Sequence, residues 1–324
     1  MKRTALALLC ALVAFPLAAA KLSDDALALI PPDAASAGVV RVLDLRTSPL
    51  FDRVFTETGR MSADADAARF LAETGLNPKL DVDLVAFAAS PGRSEGGWVL
   101  AAFEGRFDAA KLAAATAARG AEKKTTADGA YFLLKDAKHD GAPHESGAIA
   151  FVSNRLLVAG TESAVAQALT RRSAGGGGFS AGAGLGHETS RIDPKASAWV
   201  LVDVAKVPMA GRRGGGNVGD PAVAVVSAMQ SVTLVALSVT ADGYALKLSA
   251  TGVSADAETR QNLEDAVRGV LAVWRMAVQE KQPDLVPVLR AFKVTQGKDN
   301  VTISGTLPGS TVRELSARRD RPAR

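Results

Sequence analysis

The chain has 324 residues but one cysteine, three histidines, two tyrosines and three tryptophans, and aromatics make up only 5% of it. The cysteine, Cys10, falls within an N-terminal stretch that carries the marks of an export signal. Lys2 and Arg3 form its positive start, Ala5 to Leu17 an apolar run too short to span a bilayer, and Ala18-Ala19-Ala20 a small-residue cleavage site. Leu9 stands where a lipidated cysteine would be preceded by a small residue, so Cys10 does not read as a lipid anchor. Cleavage would remove twenty of the 324 residues and leave 304 without a thiol. Such a mature chain has no disulfide, no thiol nucleophile and no thiolate metal site. Its destination is the periplasm or the extracellular space.

Charge of one sign is also scarce. The formal net charge is +4, and it falls to +2 once Lys2 and Arg3 leave, which gives no general electrostatic case for nucleic acid. After residue 20 no run of about 18 apolar residues occurs, so no further membrane-spanning helix is expected. A phosphate-binding Gly-Lys-Ser/Thr loop, a G-x-G-x-x-G after a strand and an H-E-x-x-H pair are all missing, and no cofactor is called for.

What is present is an internal repeat. Val82-Asp83-Leu84-Val85-Ala86-Phe87 parallels Val232-Thr233-Leu234-Val235-Ala236-Leu237, and each is followed by a turn and then by Gly97-Trp98-Val99-Leu100 or Gly243-Tyr244-Ala245-Leu246. A turn leading into a β-branched run recurs after Pro32 and after Pro194, and Gly160-Thr161 recurs as Gly305-Thr306. Each copy gives a first strand, helical material, a hairpin, a helix, further strands and a last helix. The resulting expectation is α+β: two tandem repeats, each a largely antiparallel sheet with helices packed on one face. The boundaries are a signal peptide at 1–20, repeat one at 21–172, a glycine-rich linker at 173–193, repeat two at 194–315 and a basic tail at 316–324. By composition the linker is a flexible connector.

Local signals mark several element ends. Asp108 can cap a helix that Gly120 ends, and Pro283 stops a long helix over 256–282. In the long helix Leu263, Val267, Val270, Leu271, Trp274 and Val278 fall on one stripe, which is expected to pack on the sheet or, as the sharper alternative, to meet a partner.

Few residues offer chemistry. Gly178-Phe179-Ser180-Ala181-Gly182 fits the G-x-S-x-G pattern, but the nucleophile there must stand on a strand–turn–helix, and no histidine follows His187. His139 and His144, with Asp140 and Glu145, could hold a divalent ion loosely, although their polar loop has no defined ligand spacing. The acid pairs Asp81/Asp83 and Asp64/Asp66 fit a strand start and a helix start as well as general acid–base work. Trp98, Trp199 and Tyr244 fall in expected strands and are the candidate ligand-binding residues if they reach an uncovered sheet face.

Leu29-Ile30-Pro31-Pro32-Asp33-Ala34, Thr74-Gly75-Leu76-Asn77-Pro78 and Gly105-Arg106-Phe107-Asp108 together resemble segments of exported bacterial proteins built from duplicated α+β modules. The resemblance implies export and duplication over about residues 25–315 and brings no catalytic residues with it. The reading is therefore a non-catalytic cell-envelope protein that binds an apolar ligand or an envelope protein through a sheet face or inter-domain cleft. A hydrolase or metal-dependent enzyme, and a structural part of an envelope assembly, are the alternatives.

Overall fold

A computed structural model describes residues 25–46, 48, 65–91, 97–134, 146–175, 178–181, 184–207, 232–281 and 283–311. Its helices are α1 (Asp25–Ala28), α2 (Val42–Leu45), α3 (Ala65–Thr74), α4 (Pro78–Asp81), α5 (Ala109–Ala118), α6 (Glu162–Ser173), α7 (Ala257–Lys281) and α8 (Val286–Arg290). Its strands are β1 (Ser36–Val40), β2 (Val82–Ser90), β3 (Trp98–Gly105), β4 (Glu122–Thr126), β5 (Gly129–Leu133), β6 (Gly147–Ser153), β7 (Leu156–Thr161), β8 (Ala198–Asp203), β9 (Leu234–Asp242), β10 (Ala245–Val253), β11 (Lys293–Gln296) and β12 (Asn300–Pro308). The anticipated helix ends hold. Asp108 accepts from the Lys111 N–H at 2.9 Å, and Gly120 closes α5 with φ +78°. The long helix α7 runs about 38 Å at 1.5 Å per residue.

The α+β class, a large antiparallel sheet carrying helices, is as the sequence indicates. Its arrangement differs from the expected one in two respects. First, the strands form one twelve-stranded sheet rather than two, in the order β11-β12-β10-β9-β8-β1-β2-β3-β7-β6-β5-β4. β1 and β8 pair antiparallel at its centre, with Gly38 opposite Val200. Each would otherwise be an open edge, and their pairing satisfies both rows of backbone groups. Outward from that pair the order is β2, β3, β7, β6, β5, β4 on one side and β9, β10, β12, β11 on the other, the first side carrying two more strands.

Second, helices cover both faces of the first half. On the front face Leu84, Ala86, Leu100, Ala102 and Val158 lie under α1 and α6, packed by Leu29, Ile30, Val165 and Leu169. On the back face Val85, Phe103, Leu157 and Phe151 are register partners in turn across β2, β3, β7 and β6. They meet Leu112 of α5, together with Phe107 and Phe70. These strands are apolar on both faces, so a single helical layer would leave one face wet.

The stretch 173–193 also departs from a flexible connector where it is described. It forms two 3₁₀ segments, Gly178–Ala181 and Gly184–Arg191, and it buries Phe179, Leu185 and Ile192 in the main core. Its glycines serve close approach. A Cβ on Gly178 (φ +44°) would lie 1.9 Å from the Ala28 carbonyl oxygen, and one on Gly184 (φ +52°) 2.0 Å from that of Pro32.

Candidate binding surfaces

In the second half of the sheet the two faces have opposite character. Side chains alternate along each strand. One set, Val235, Leu237, Ala250, Val301 and Ile303, points to the back, where Leu263 and Val267 of α7 close over it. Between helix and sheet remains an open cleft of about 180 Å³ with an apolar lining, Thr251 turning its hydroxyl to the front face, where it bonds Thr302. Gly252 lets the helix come this close, because a Cβ there would lie 2.9 Å from a Leu263 methyl. Leu237 is 41% exposed at the mouth. Farther along α7 the apolar stripe emerges from cover at Trp274, which is 55% exposed, and Met276 on the other side of the helix is 63% exposed.

The opposite set builds a polar front face. Ser238, Ser249, Ser304 and Lys293 stand side by side across β9, β10, β12 and β11, and Thr240, Lys247 and Thr306 form the adjoining row. These side chains, with Arg191 and Asp193, line an open groove of about 460 Å³. Arg191 bonds Glu188 at 2.5 Å and Asp299 at 2.6 Å, which holds its guanidinium charged and keeps the Asp299 carboxyl below its ordinary value. Lys247 bonds Asp242 at 2.6 Å, which raises the amine and lowers the carboxyl.

Asp193 also lines a second recess on the front face, of about 470 Å³, with Arg41, Ser190, Ile192 and Trp199. Trp199 and Phe179 stack there with ring centroids 6.1 Å apart. The Arg41 Nε is buried without a hydrogen-bond partner.

The three candidate aromatics are not brought together. Trp199 is 8% exposed and belongs to the core, with an edge on the Arg41 recess. Trp98 opens β3 opposite Ser90 and packs half-buried against the same core. Tyr244 precedes β10, in the turn where Gly243 takes φ +55°, and is 75% exposed. His139 and His144 lie outside the described residues. His187 is exposed on the second 3₁₀ segment, and among the described residues no group of three or more His, Cys, Asp or Glu could hold a metal ion.

The other motifs resolve into structural parts. The backbone of Ser180 lies in a 3₁₀ segment that follows a helix, which is not the strand-to-helix turn of a nucleophile elbow. Asp83 pairs with Arg46 at 2.8 Å, and Asp81 accepts from the Asn77 N–H at 2.7 Å. Asp64 lies outside the described residues, as does the basic tail 316–324. The polar front groove is absent from the sequence expectations. Its signal is the strict alternation of Lys247-x-Ser249-x-Thr251 and Thr302-x-Ser304-x-Thr306.

No family model and no curated protein matches the chain. Among solved structures it is similar to the protein TP0453. Crystal form III of that protein superposes with a TM-score of 0.53 at 10% identity, covering 92% of this chain and 100% of that one. Crystal form I gives 0.49 at the same identity, over 92% and 98%. At that identity the first likeness establishes the fold: helices on a large antiparallel sheet, over nearly the whole chain. Among the described residues no helix is long and apolar enough to cross a membrane.

Proposed function

We propose that the chain is an exported, non-catalytic binding protein of the cell envelope that takes an apolar group into the cleft between α7 and the back of the sheet. The cleft carries this reading: eight aliphatic side chains from β9, β10, β12, α7 and the segment before β9 converge on open space. At about 180 Å³ it is comparable to the dry cavities of roughly 150 Å³ that admit benzene. It suits a small apolar moiety or the end of a longer one. Export is supported by the Lys2-Arg3 start and the apolar run that follows. Duplication of one α+β unit would account for the like order of the first four strands on either side of β1 and β8, β5 and β4 being additional in the first half.

The test is saturable binding of the neutral fluorophore N-phenyl-1-naphthylamine. Ala250→Phe, which fills the cleft from β10, is expected to lower that binding at least tenfold with folding intact. Equal binding by the variant, or none by the native chain, refutes the cleft as the site.

A second reading, a structural contact within an envelope assembly, draws on the exposed Trp274 and Met276 of α7. It predicts that Trp274→Glu releases a co-purifying envelope protein; retention of every partner by that variant counts against it.

A further inference from the structure

The polar groove and the Arg41 recess lie on one face of the sheet and meet at Asp193, which lines both. Together they make a trough that starts beside Trp199 at the sheet centre and ends at Lys293 on the β11 edge.

Its floor is a grid of hydroxyls. Neighbouring strands lie about 4.8 Å apart and same-face residues about 6.7 Å apart along a strand, so the five hydroxyls of Ser238, Thr240, Ser249, Ser304 and Thr306 are spaced about as widely as substituents on opposite sides of a sugar ring. None of them bonds another described residue. In the next row the Thr251 and Thr302 hydroxyls bond each other at 2.8 Å. The first five thus keep donor and acceptor capacity for something outside the protein.

The charge lining the trough is one-sided. Arg41, Arg191, Lys247 and Lys293 face a single carboxylate, Asp193. Arg191 and Lys247 are held by Glu188, Asp299 and Asp242. Arg41 and Lys293 make no ion pair with the described residues. They stand toward opposite ends of the trough, Arg41 with its buried and unpartnered Nε. A guanidinium and an ammonium placed apart, with hydroxyls between, complement a chain that carries anionic groups at intervals and hydroxyls throughout.

We infer that this trough binds a linear anionic glycan, with carboxylates at Arg41 and Lys293 and ring hydroxyls on the serine and threonine grid. An extended peptide fits it less well. Peptides that join sheets do so along an edge, where backbone groups are free, whereas this floor is the face of strands already paired on both sides in β9, β10 and β12.

The experiment is calorimetric titration of the full chain with a tetrasaccharide of galacturonate, with uncharged cellotetraose and inorganic phosphate as comparison probes. The tetragalacturonate is expected to bind at least tenfold more tightly than either. Lys293→Glu should weaken it at least tenfold, and the double variant Ser249→Val/Ser304→Val at least threefold, with thermal midpoints unchanged. N-phenyl-1-naphthylamine binding in the back cleft should be the same in all of them, which separates this site from that one. No binding of the tetragalacturonate overturns the inference, as does binding insensitive to these substitutions. Phosphate binding as tight as the tetragalacturonate, and indifferent to the serine variants, would reduce the trough to a charge site and also overturn it.

Discussion

The ring of Phe87 occupies the space that a side chain on Gly38 would need. The two residues are register partners across β1 and β2, and a Cβ on Gly38 would lie 2.4 Å from the Phe87 Cζ and 2.5 Å from the Trp199 carbonyl oxygen. Gly38 is also the residue opposite Val200, where the two halves of the sheet join. Gly38→Val is therefore expected to cost about 1–3 kcal/mol through overpacking, read as a lower urea midpoint. Adding Phe87→Ala should recover part of that loss, because it removes the ring but leaves the Trp199 carbonyl. Strictly additive effects in the double-mutant cycle would show that the two residues do not compete for this space.

The glycine-rich stretch gives the second prediction. Phe179 is 1% exposed and stacks on Trp199, so Phe179→Ala should cost about 3–5 kcal/mol, as for other large-to-small changes in a core. Gly178→Ala should also destabilise, because φ +44° is unfavourable for alanine and its methyl would strike the Ala28 carbonyl. Limited proteolysis should find residues 184–192 protected in the native chain and cut readily in Phe179→Ala. Equal cutting of both would return the segment to the role of a loose tether.

Much of this fold is visible in local sequence. Asp108, Gly120 and Pro283 mark helix ends through capping and sterics that act within a few residues, and the short apolar run from Val82 to Phe87 identifies a strand without reference to its partner. The union of β1 with β8 is a different matter. It joins residues about 160 positions apart, and nothing in either strand says whether its open edge will find the other. The connector misleads for a related reason: glycine suits both a mobile tether and a chain packed so close to another backbone that a Cβ would strike its carbonyl oxygen, and only the position of Ala28 and Pro32 decides between them. Aromatic residues drew attention to Trp98, Trp199 and Tyr244, whereas the polar groove is marked by serine and threonine, which carry weak signals singly and a clear one only when three strands align.

Glu162 opens α6 and joins two side chains of the neighbouring hairpin. Its Oε1 accepts from Lys124 Nζ at 2.7 Å and from the Tyr131 hydroxyl at 3.0 Å. The Lys124 bond holds the carboxyl below its ordinary value of 4.5, while burial and the bond to Glu162 raise the Tyr131 phenol. A carboxyl lowered in the folded state stabilises the fold above its unfolded value and loses that contribution as pH falls through the folded one. The native chain should thus lose stability below pH 4.5, and Glu162→Gln should show a shallower fall over the same range. Urea midpoints at pH 3 to 6 would check it, and parallel profiles for the two proteins would remove Glu162 as the cause.

The stripe of α7 supplies a contrast between residues of similar character. Leu263 is 7% exposed and packs with Val232 and Val301, whereas Trp274 is 55% exposed on the same helix. Leu263→Ala should cost about 2–4 kcal/mol, because it removes buried methyl groups and enlarges the cleft. It should also speed dissociation of N-phenyl-1-naphthylamine, since one wall of the cleft recedes from the probe. Trp274→Ala, at a position with little burial to lose, should change stability by about 0.5 kcal/mol or less. Comparable losses from the two substitutions would mean that the outer half of α7 is packed as firmly as the inner half, and the exposed stripe could then not serve as a contact.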